Sequence, residues 1–156
     1  MRRRIFIILT IVWMIVIFAF SAKDADASQQ ESYKVGFIIG RLVVEDFENQ
    51  TYDEQLEFAK LVDHPIRKTA HAMEYAILGF LVFGALYSSS MRWYLQGLIA
   101  WGIATLYAAS DEFHQLFVPG RSGEFKDVCI DSVGVIIGVL IGLLIFSKHY
   151  KNIKES

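Results

Sequence analysis

VCIDSVGVIIGVLIGLLIF, residues 128–146, is the stretch that decides the fold. Asp131 is its only ionisable residue apart from Cys129, and the stretch is about as long as the roughly 20 apolar residues that a helix needs to cross the hydrocarbon core of a bilayer. Polar and apolar residues do not alternate along it, which disfavours a strand of a membrane barrel. The stretch therefore predicts a transmembrane helix.

Three further apolar blocks precede this one, and 54% of the 156 residues are hydrophobic. A soluble domain of this size would disperse its apolar residues at helix or strand period instead of grouping them. The predicted fold is therefore all-α: a polytopic membrane protein with four transmembrane helices in one domain, residues 1–156. The predicted spans cover about residues 5–22, 69–87, 93–110 and 128–147.

The basic residues next to the predicted spans indicate an orientation in the cell membrane. They are Arg2, Arg3, Arg4, Arg92, Lys148, Lys151 and Lys154. Both termini are cytoplasmic if these residues follow the positive-inside rule, and the acidic segment 23–63 is then extracytoplasmic. No basic stripe points to nucleic acid. The lone Cys129 excludes an intrachain disulfide.

The N-terminus has a second interpretation. Arg2–Arg4, the apolar run and Ala25-Asp26-Ala27 resemble a signal peptide with a small-residue cleavage site. An uncut chain keeps four spans and a cut chain keeps three, with the same orientation for the rest.

The segment between the first two spans is predicted to form two short amphipathic helices separated at Glu48-Asn49-Gln50-Thr51. Such helices either lie in the membrane interface with the apolar face down or form a small cap on the bundle. Pro65 is expected to end the second helix or to start the next one.

Polar residues concentrate at one end of spans two, three and four. Lys68, His71 and Tyr75 share a helical stripe, and Glu74 lies beside it. Ionisable groups inside a membrane are costly and are usually paired or functional. By the predicted topology the whole set converges on the extracytoplasmic side. It contains Lys68, His71, Glu74, Tyr75, Asp111, Glu112, His114, Gln115, Arg121, Asp127 and Asp131.

This set suits several chemistries. The catalytic candidates are His71 with Glu74 and His114 with Asp111, each a general acid/base with an orienting carboxylate. Arg121 and Lys68 could hold a phosphate or carboxylate. No H-E-x-x-H motif and no cysteine pair supports a metal, so neither a metal nor a cofactor is predicted. An ion-pair network that only stabilises the bundle remains an alternative.

Gly134, Gly138 and Gly142 form a small-residue stripe that allows another helix to approach closely. The stripe suits a packing seam within the chain and a homo-oligomer equally well.

The motifs together resemble the VanZ-like family, small bacterial membrane proteins named after a teicoplanin-resistance accessory protein. The resemblance covers almost the whole chain. It rests on Phe20-Ser21, on KTAHAMEYAILG (68–79), on DEFHQ (111–115) with Pro119-Gly120-Arg121, and on Asp127 with Asp131, Gly134 and Gly138. Asp131 departs from the family pattern, in which many relatives are expected to carry Asn.

The resemblance implies reduced sensitivity to teicoplanin-type lipoglycopeptides, without synthesis of an altered cell-wall precursor. The preferred hypothesis is a non-enzymatic envelope protein whose polar site binds a lipid head group or a lipid-linked wall precursor and so changes the access of lipophilic antibiotics. The expected partners are membrane lipids and a lipid-linked or lipophilic small molecule. A membrane enzyme acting on a phosphate-linked lipid is the alternative, although the serine–glycine–histidine motif of lipid phosphatases is missing. Transport of a small solute is the third hypothesis, and the largely apolar inner halves of the spans speak against it.

Overall fold

The computed structural model describes residues 1–87 and 91–154, of which 147–154 are described as backbone alone. The described chain contains helices and no strands, which confirms the all-α class. The side chains of Lys148, Lys151 and Lys154, which entered the orientation argument, lie outside the described part. The helices are α1 Arg2–Ser21, α2 Ala25–Val43, α3 Tyr52–Leu86, α4 Trp93–Gln115 and α5 Phe125–Lys154, with a short 3-10 turn at Phe47–Asn49.

Among the described residues, three helices are long and apolar enough to cross a membrane: α1, α3 and α5. The 23 residues of α4 are sufficient in length. Trp, Tyr, Gln and Gly residues interrupt its apolar sequence, and α4 is not among the three candidate spans. Three of the four predicted spans are therefore supported.

The long helix α3 begins at a capping box, in which the Thr51 side chain accepts from the backbone N–H of Glu54 and the Glu54 carboxylate accepts from that of Thr51. It continues for 35 residues through Pro65, so the prediction that Pro65 ends a helix or starts a new one is wrong. Proline inside a helix costs about 3 kcal/mol. Contacts on both sides of it hold the helix together: Ala59 lies against Gly36 of α2, and Lys68 pairs with Asp127 of α5.

The second amphipathic helix of the sequence prediction is thus the first part of α3. At 1.5 Å per residue, α3 is about 52 Å long, well beyond the ~30 Å hydrocarbon core. Its N-terminal part forms a hairpin with α2, in which Gly40 of α2 contacts the Phe47 ring. Ile38 and Leu42 on the other face of α2 are exposed.

Helix α5 packs tightly on α3 along the predicted small-residue stripe. A Cβ atom at Gly134 would overlap the carbonyl oxygen of Ala72, and one at Gly138 would overlap that of Ala76. One at Gly142 would contact the Phe83 ring at 2.6 Å. The structure therefore uses the stripe, hereafter the α3–α5 seam, within the chain.

Helices α4 and α1 complete the bundle. Ala100, Ala104 and Ala108 form the fully buried face of α4. Long-range hydrogen bonds fix α1, two of them near its middle: the Trp13 indole N–H donates to the Glu74 carbonyl at 2.9 Å, and the Tyr107 hydroxyl donates to the Met14 carbonyl at 2.7 Å. The bundle brings the middle of α3, the end of α4 and the start of α5 together.

Candidate functional site

The polar end of the bundle comprises residues 67–75 of α3, residues 111–121 at the end of α4 and in the following loop, and residues 127–131 of α5. The loop folds onto the start of α2, where the backbone N–H of Ala25 donates to the Pro119 carbonyl at 3.2 Å. Gly120 has φ +71°, a left-handed conformation that favours glycine, and a Cβ there would lie 2.9 Å from that of Ala25. This turn directs the Arg121 side chain into the polar end.

Two adjoining cavities open there, with volumes of about 200 Å³ and 180 Å³. Arg67, His71 and Arg121 line both of them. The first, the mixed cavity, also has apolar walls formed by Phe20, Val35, Ile66 and Ala70. The second, the polar cavity, is lined further by His64, Lys68, Gln115, Ser122, Glu124 and Asp127. Carboxylates line the cleft as well: Glu31 and Glu74 in the mixed cavity, and Glu124 and Asp127 in the polar cavity. A single cleft thus joins apolar walls to a charged centre that contains two arginines.

Arg121 is the central cation of this cleft. Its Nε donates to the Lys23 carbonyl at 3.2 Å. No ion pair in the described chain includes it, although Asp111, Glu112 and Glu74 act on it electrostatically. Burial and the neighbouring Arg67 guanidinium lower the pKa of Arg121. Arginine nevertheless stays protonated in proteins, so the charge remains.

Arg67 was not among the predicted site residues. It forms an ion pair with Asp63 one turn earlier, Nη2 to Oδ2 at 3.1 Å. Asp63 is buried and accepts a hydrogen bond from the Ser32 hydroxyl of α2. The Nε of Arg67 is buried and has no hydrogen-bond partner. The i, i+4 spacing of Asp63 and Arg67 was a visible signal in the sequence, whereas nothing there pointed to Ser32.

Lys68, predicted as a phosphate ligand, forms an ion pair with Asp127. The pair is mostly buried, with the two side chains 25% and 16% exposed. It joins α3 to α5 at the edge of the polar cavity. The charge of Lys68 is thus largely compensated within the chain.

The two histidines lie in different surroundings. His71 lines both cavities, and its buried Nδ1 has no hydrogen-bond partner. The His114 ring packs on the Phe18 ring with centroids 4.6 Å apart, and it lines neither cavity. Among the described residues, no hydrogen bond joins His71 to Glu74 or His114 to Asp111, the two pairs expected for acid/base chemistry.

A second polar group lies deeper in the bundle. Gln115 Nε2 donates to Ser21 Oγ at 2.9 Å and to Asp111 Oδ2 at 3.4 Å. The Tyr75 hydroxyl faces the Asp111 carboxyl without a hydrogen bond of normal geometry. Asp131 is 1% exposed, and neither of its carboxyl oxygens has a partner.

Glu112 has a structural contact of its own. Its carboxylate accepts from the backbone N–H of Glu124 at 3.0 Å, just before the start of α5. A carboxylate at this position satisfies an otherwise unpaired N-terminal donor and interacts favourably with the helix dipole. Glu112 therefore anchors the loop to α5 rather than lining either cavity.

In the described part of the chain, seven buried side-chain nitrogen and oxygen atoms have no hydrogen-bond partner, and all lie at the polar end. They belong to Arg67, His71, Tyr75, Asp111, His114 and Asp131. A buried unpaired polar group costs about 1–3 kcal/mol. Such groups need a partner from outside the chain, either water or a ligand.

The chemistry of the polar end suits an anion better than a metal. Over the described ranges, no group of three or more His, Cys, Asp or Glu residues is arranged to hold a metal ion. The cleft residues Arg67, His71 and Arg121 instead present hydrogen-bond donors of the type that bind phosphates and carboxylates.

Comparison with known proteins identified one family. No curated protein and no solved structure matched the chain. The model of one family, VanZ/LLP1, matches residues 6–146 and so includes all three segments of the polar end. The chain belongs to the VanZ/LLP1 family.

Proposed function

We propose that the protein is a multi-pass protein of the bacterial envelope whose polar end binds the anionic head group of a lipid or lipid-linked precursor. Membership in the VanZ/LLP1 family suggests a VanZ-like, teicoplanin-resistance-associated function. The observation that carries the proposal is the cleft whose two cavities share Arg67, His71 and Arg121.

The two cavities match the two parts of a lipid. An anionic head group would lie against the guanidinium groups of Arg67 and Arg121, which line both cavities and form charge-assisted hydrogen bonds. The attached chain would follow the apolar walls of the mixed cavity, formed by Phe20, Val35 and Ile66. Binding sites of this kind combine apolar walls with a few polar groups that fix orientation.

We further propose that α4 is a fourth span and that the polar end faces outwards. The exposed side chains of α4 between Trp93 and Leu106 are aliphatic or aromatic, including Leu98, Ile99 and Ile103. A lipid environment accommodates such a face, while the buried alanines pack inside. Arg92 lies at the opposite end of α4 from Arg121, which agrees with a cytoplasmic link between α3 and α4.

A lipid held at the outer leaflet offers a route to antibiotic protection. Occupancy or shielding of a lipid-linked precursor would reduce access of lipoglycopeptides, which themselves carry a lipid chain. The effect requires no modification of the precursor, as the resemblance implies.

The proposal is tested by mass spectrometry of lipids that co-purify with the protein. Wild type is expected to retain a lipid class that Arg121→Ala loses. Arg92→Ala, at the other end of α4, is the matched control and should retain it. Equal lipid profiles for all three proteins would contradict the proposal.

The second candidate is an enzyme acting on a phosphate-linked lipid. One observation favours it: His71 lines both cavities with a buried Nδ1 that has no partner. An acid/base role predicts that purified wild type releases phosphate from a lipid panel and that His71→Gln does not. Absence of turnover by wild type would leave binding as the function.

A further inference from the structure

Asp63 and Ser32 form a buried link between α2 and the cleft. The Ser32 hydroxyl donates to Asp63, and Asp63 holds Nη2 of Arg67 at 3.1 Å. All three residues lie outside the set predicted from the sequence. Ser32 and Arg67 line the mixed cavity, while the buried Asp63 lies behind them.

The orientation of Arg67 is incompletely explained by the chain itself. Asp63 occupies one terminal nitrogen, yet the buried Nε has no partner. Arg67 also acts electrostatically on Arg121, and two guanidinium groups repel each other unless an anion lies between them. Each guanidinium group has one contact within the chain: Arg67 forms an ion pair with Asp63, and Arg121 donates a hydrogen bond to the Lys23 carbonyl.

We propose that Asp63, held by Ser32, is a positioning residue that orients Arg67 so that Arg67 and Arg121 together bind a phosphate group. This inference rests on the proposed function and specifies the head group. Two planar guanidinium groups bind tetrahedral phosphate oxygens through paired hydrogen bonds, which a single ammonium group cannot do. Lys68 differs from the two arginines because its ammonium group lacks the planar fork, and it is paired with Asp127.

Positioning and simple electrostatics predict opposite effects for Asp63→Asn. If Asp63 contributed only its charge, its neutralisation would strengthen binding of an anion. If it orients Arg67, the loss of the ion pair weakens binding. The sign of the change therefore separates the two roles.

The experiment measures the affinity of the full-length protein in dodecyl maltoside for dihexanoyl phosphatidic acid by calorimetry. Dihexanoylglycerol, which lacks the phosphate, and inorganic phosphate are the comparison ligands. We expect wild type to bind the phosphatidic acid, and we expect weakening of about tenfold in Asp63→Asn and about threefold in Ser32→Ala. Binding of inorganic phosphate alone would assign the site to free phosphate.

A double-mutant cycle shows whether Asp63 acts through Arg67. In an Arg67→Gln background, Asp63→Asn should change the affinity less than about twofold. The matched control is Glu48→Gln, which removes the exposed Arg41–Glu48 pair on the same hairpin and should leave the affinity unchanged. Ser32→Ala provides the same test if Asp63→Asn does not fold.

The outcomes separate the two proposals. Suppose that wild type binds the phosphatidic acid, so that lipid binding stands. The positioning role is wrong if Asp63→Asn binds this lipid as tightly as wild type or more tightly. It is also wrong if Asp63→Asn weakens binding as much in the Arg67→Gln background as in the wild-type background. Equal affinity for dihexanoylglycerol would overturn the phosphate assignment. If wild type binds neither lipid, the proposed function is wrong. If it does not bind inorganic phosphate either, this inference is wrong as well.

Discussion

The α3–α5 seam and the polar end lie along the same pair of helices. They differ in whether their atoms have contact partners within the chain. In the seam, glycines allow the α5 backbone to lie against the carbonyls of Ala72 and Ala76, and the contact is complete within the chain. At the polar end, six residues carry buried polar atoms without partners in the described chain. The seam therefore serves the fold, whereas the polar end is arranged for something that the chain does not supply.

The largest expected effect is on stability and follows from a substitution that disrupts the α3–α5 seam. Gly138→Ala places a Cβ against the Ala76 carbonyl, so α3 and α5 must separate. We expect a loss of about 3 kcal/mol in the free energy of unfolding, at the upper end of overpacking costs. Denaturant titration in detergent, followed by circular dichroism, measures it.

Gly102→Ala is the matched control, because a Cβ at Gly102 meets nothing within 4 Å. Alanine has the higher helix propensity, so this variant should be as stable as wild type or more stable by up to about 1 kcal/mol. Equal losses of unfolding free energy in the two variants would contradict the claim that close packing at the seam stabilises the fold.

The next effect concerns the ion pair at the boundary of the two regions. Asp127→Asn leaves the mostly buried Lys68 ammonium without its carboxylate partner. We expect a loss of about 2 kcal/mol, less than for a fully buried pair because some solvent remains. Thermal unfolding in detergent provides the measurement.

The double variant Lys68→Gln with Asp127→Asn removes both charges and should recover at least half of that loss. A phosphate-binding Lys68 gives a different pattern. Stability would then be unaffected by Asp127→Asn, and Lys68→Gln would abolish lipid binding.

A smaller effect concerns binding at the polar end. Arg121→Lys keeps the charge but removes the planar fork, and we expect affinity for dihexanoyl phosphatidic acid to fall about tenfold, or 1.4 kcal/mol. Calorimetry measures the change. Arg41→Lys, on the exposed surface of α2, is the control and should bind like wild type. Unchanged affinity in Arg121→Lys would show that Arg121 contributes only its charge and that its planar fork is not needed.

The smallest expected effect tests whether the buried carboxyl group of Asp131 belongs to the lipid-binding cleft. Asp131→Asn preserves shape and removes a buried carboxyl that is surrounded by Glu112, Asp127, Asp111 and Glu74. We expect a stability gain of about 1 kcal/mol with unchanged lipid affinity. Thermal unfolding and calorimetry on the same preparation measure both quantities. A loss of affinity would extend the binding site to Asp131.

The fold was largely predictable because apolar blocks and glycine spacing are local patterns. The all-α class follows from blocks such as 128–146, and the family from motifs such as DEFHQ. Pro65 misled the prediction, because the contacts that keep α3 continuous come from Gly36 and Asp127, both distant in sequence. Tertiary packing outweighed the local preference of proline.

The location of the candidate site was predictable from the sequence, but which of its charged side chains form ion pairs was not. Lys68 and Arg121 look alike in sequence as cations near the membrane boundary. Only the fold brings Asp127 to Lys68 and leaves Arg121 without an ion pair among the described residues. The hydrogen bond from Ser32 to Asp63 depends on how α2 folds back onto α3, which no local pattern encodes.

Lipid cross-linking from within the cleft tests the central claim most directly. Benzoylphenylalanine in place of Phe20 puts a photoreactive group on the apolar wall of the mixed cavity, and the same residue in place of the exposed Leu106 of α4 samples the bulk membrane. We predict that Phe20 captures one phosphate-bearing lipid class and that Arg121→Ala abolishes the capture, while Leu106 captures the bulk lipids in both backgrounds. Capture of the same bulk lipids from both positions, independent of Arg121, would contradict the account.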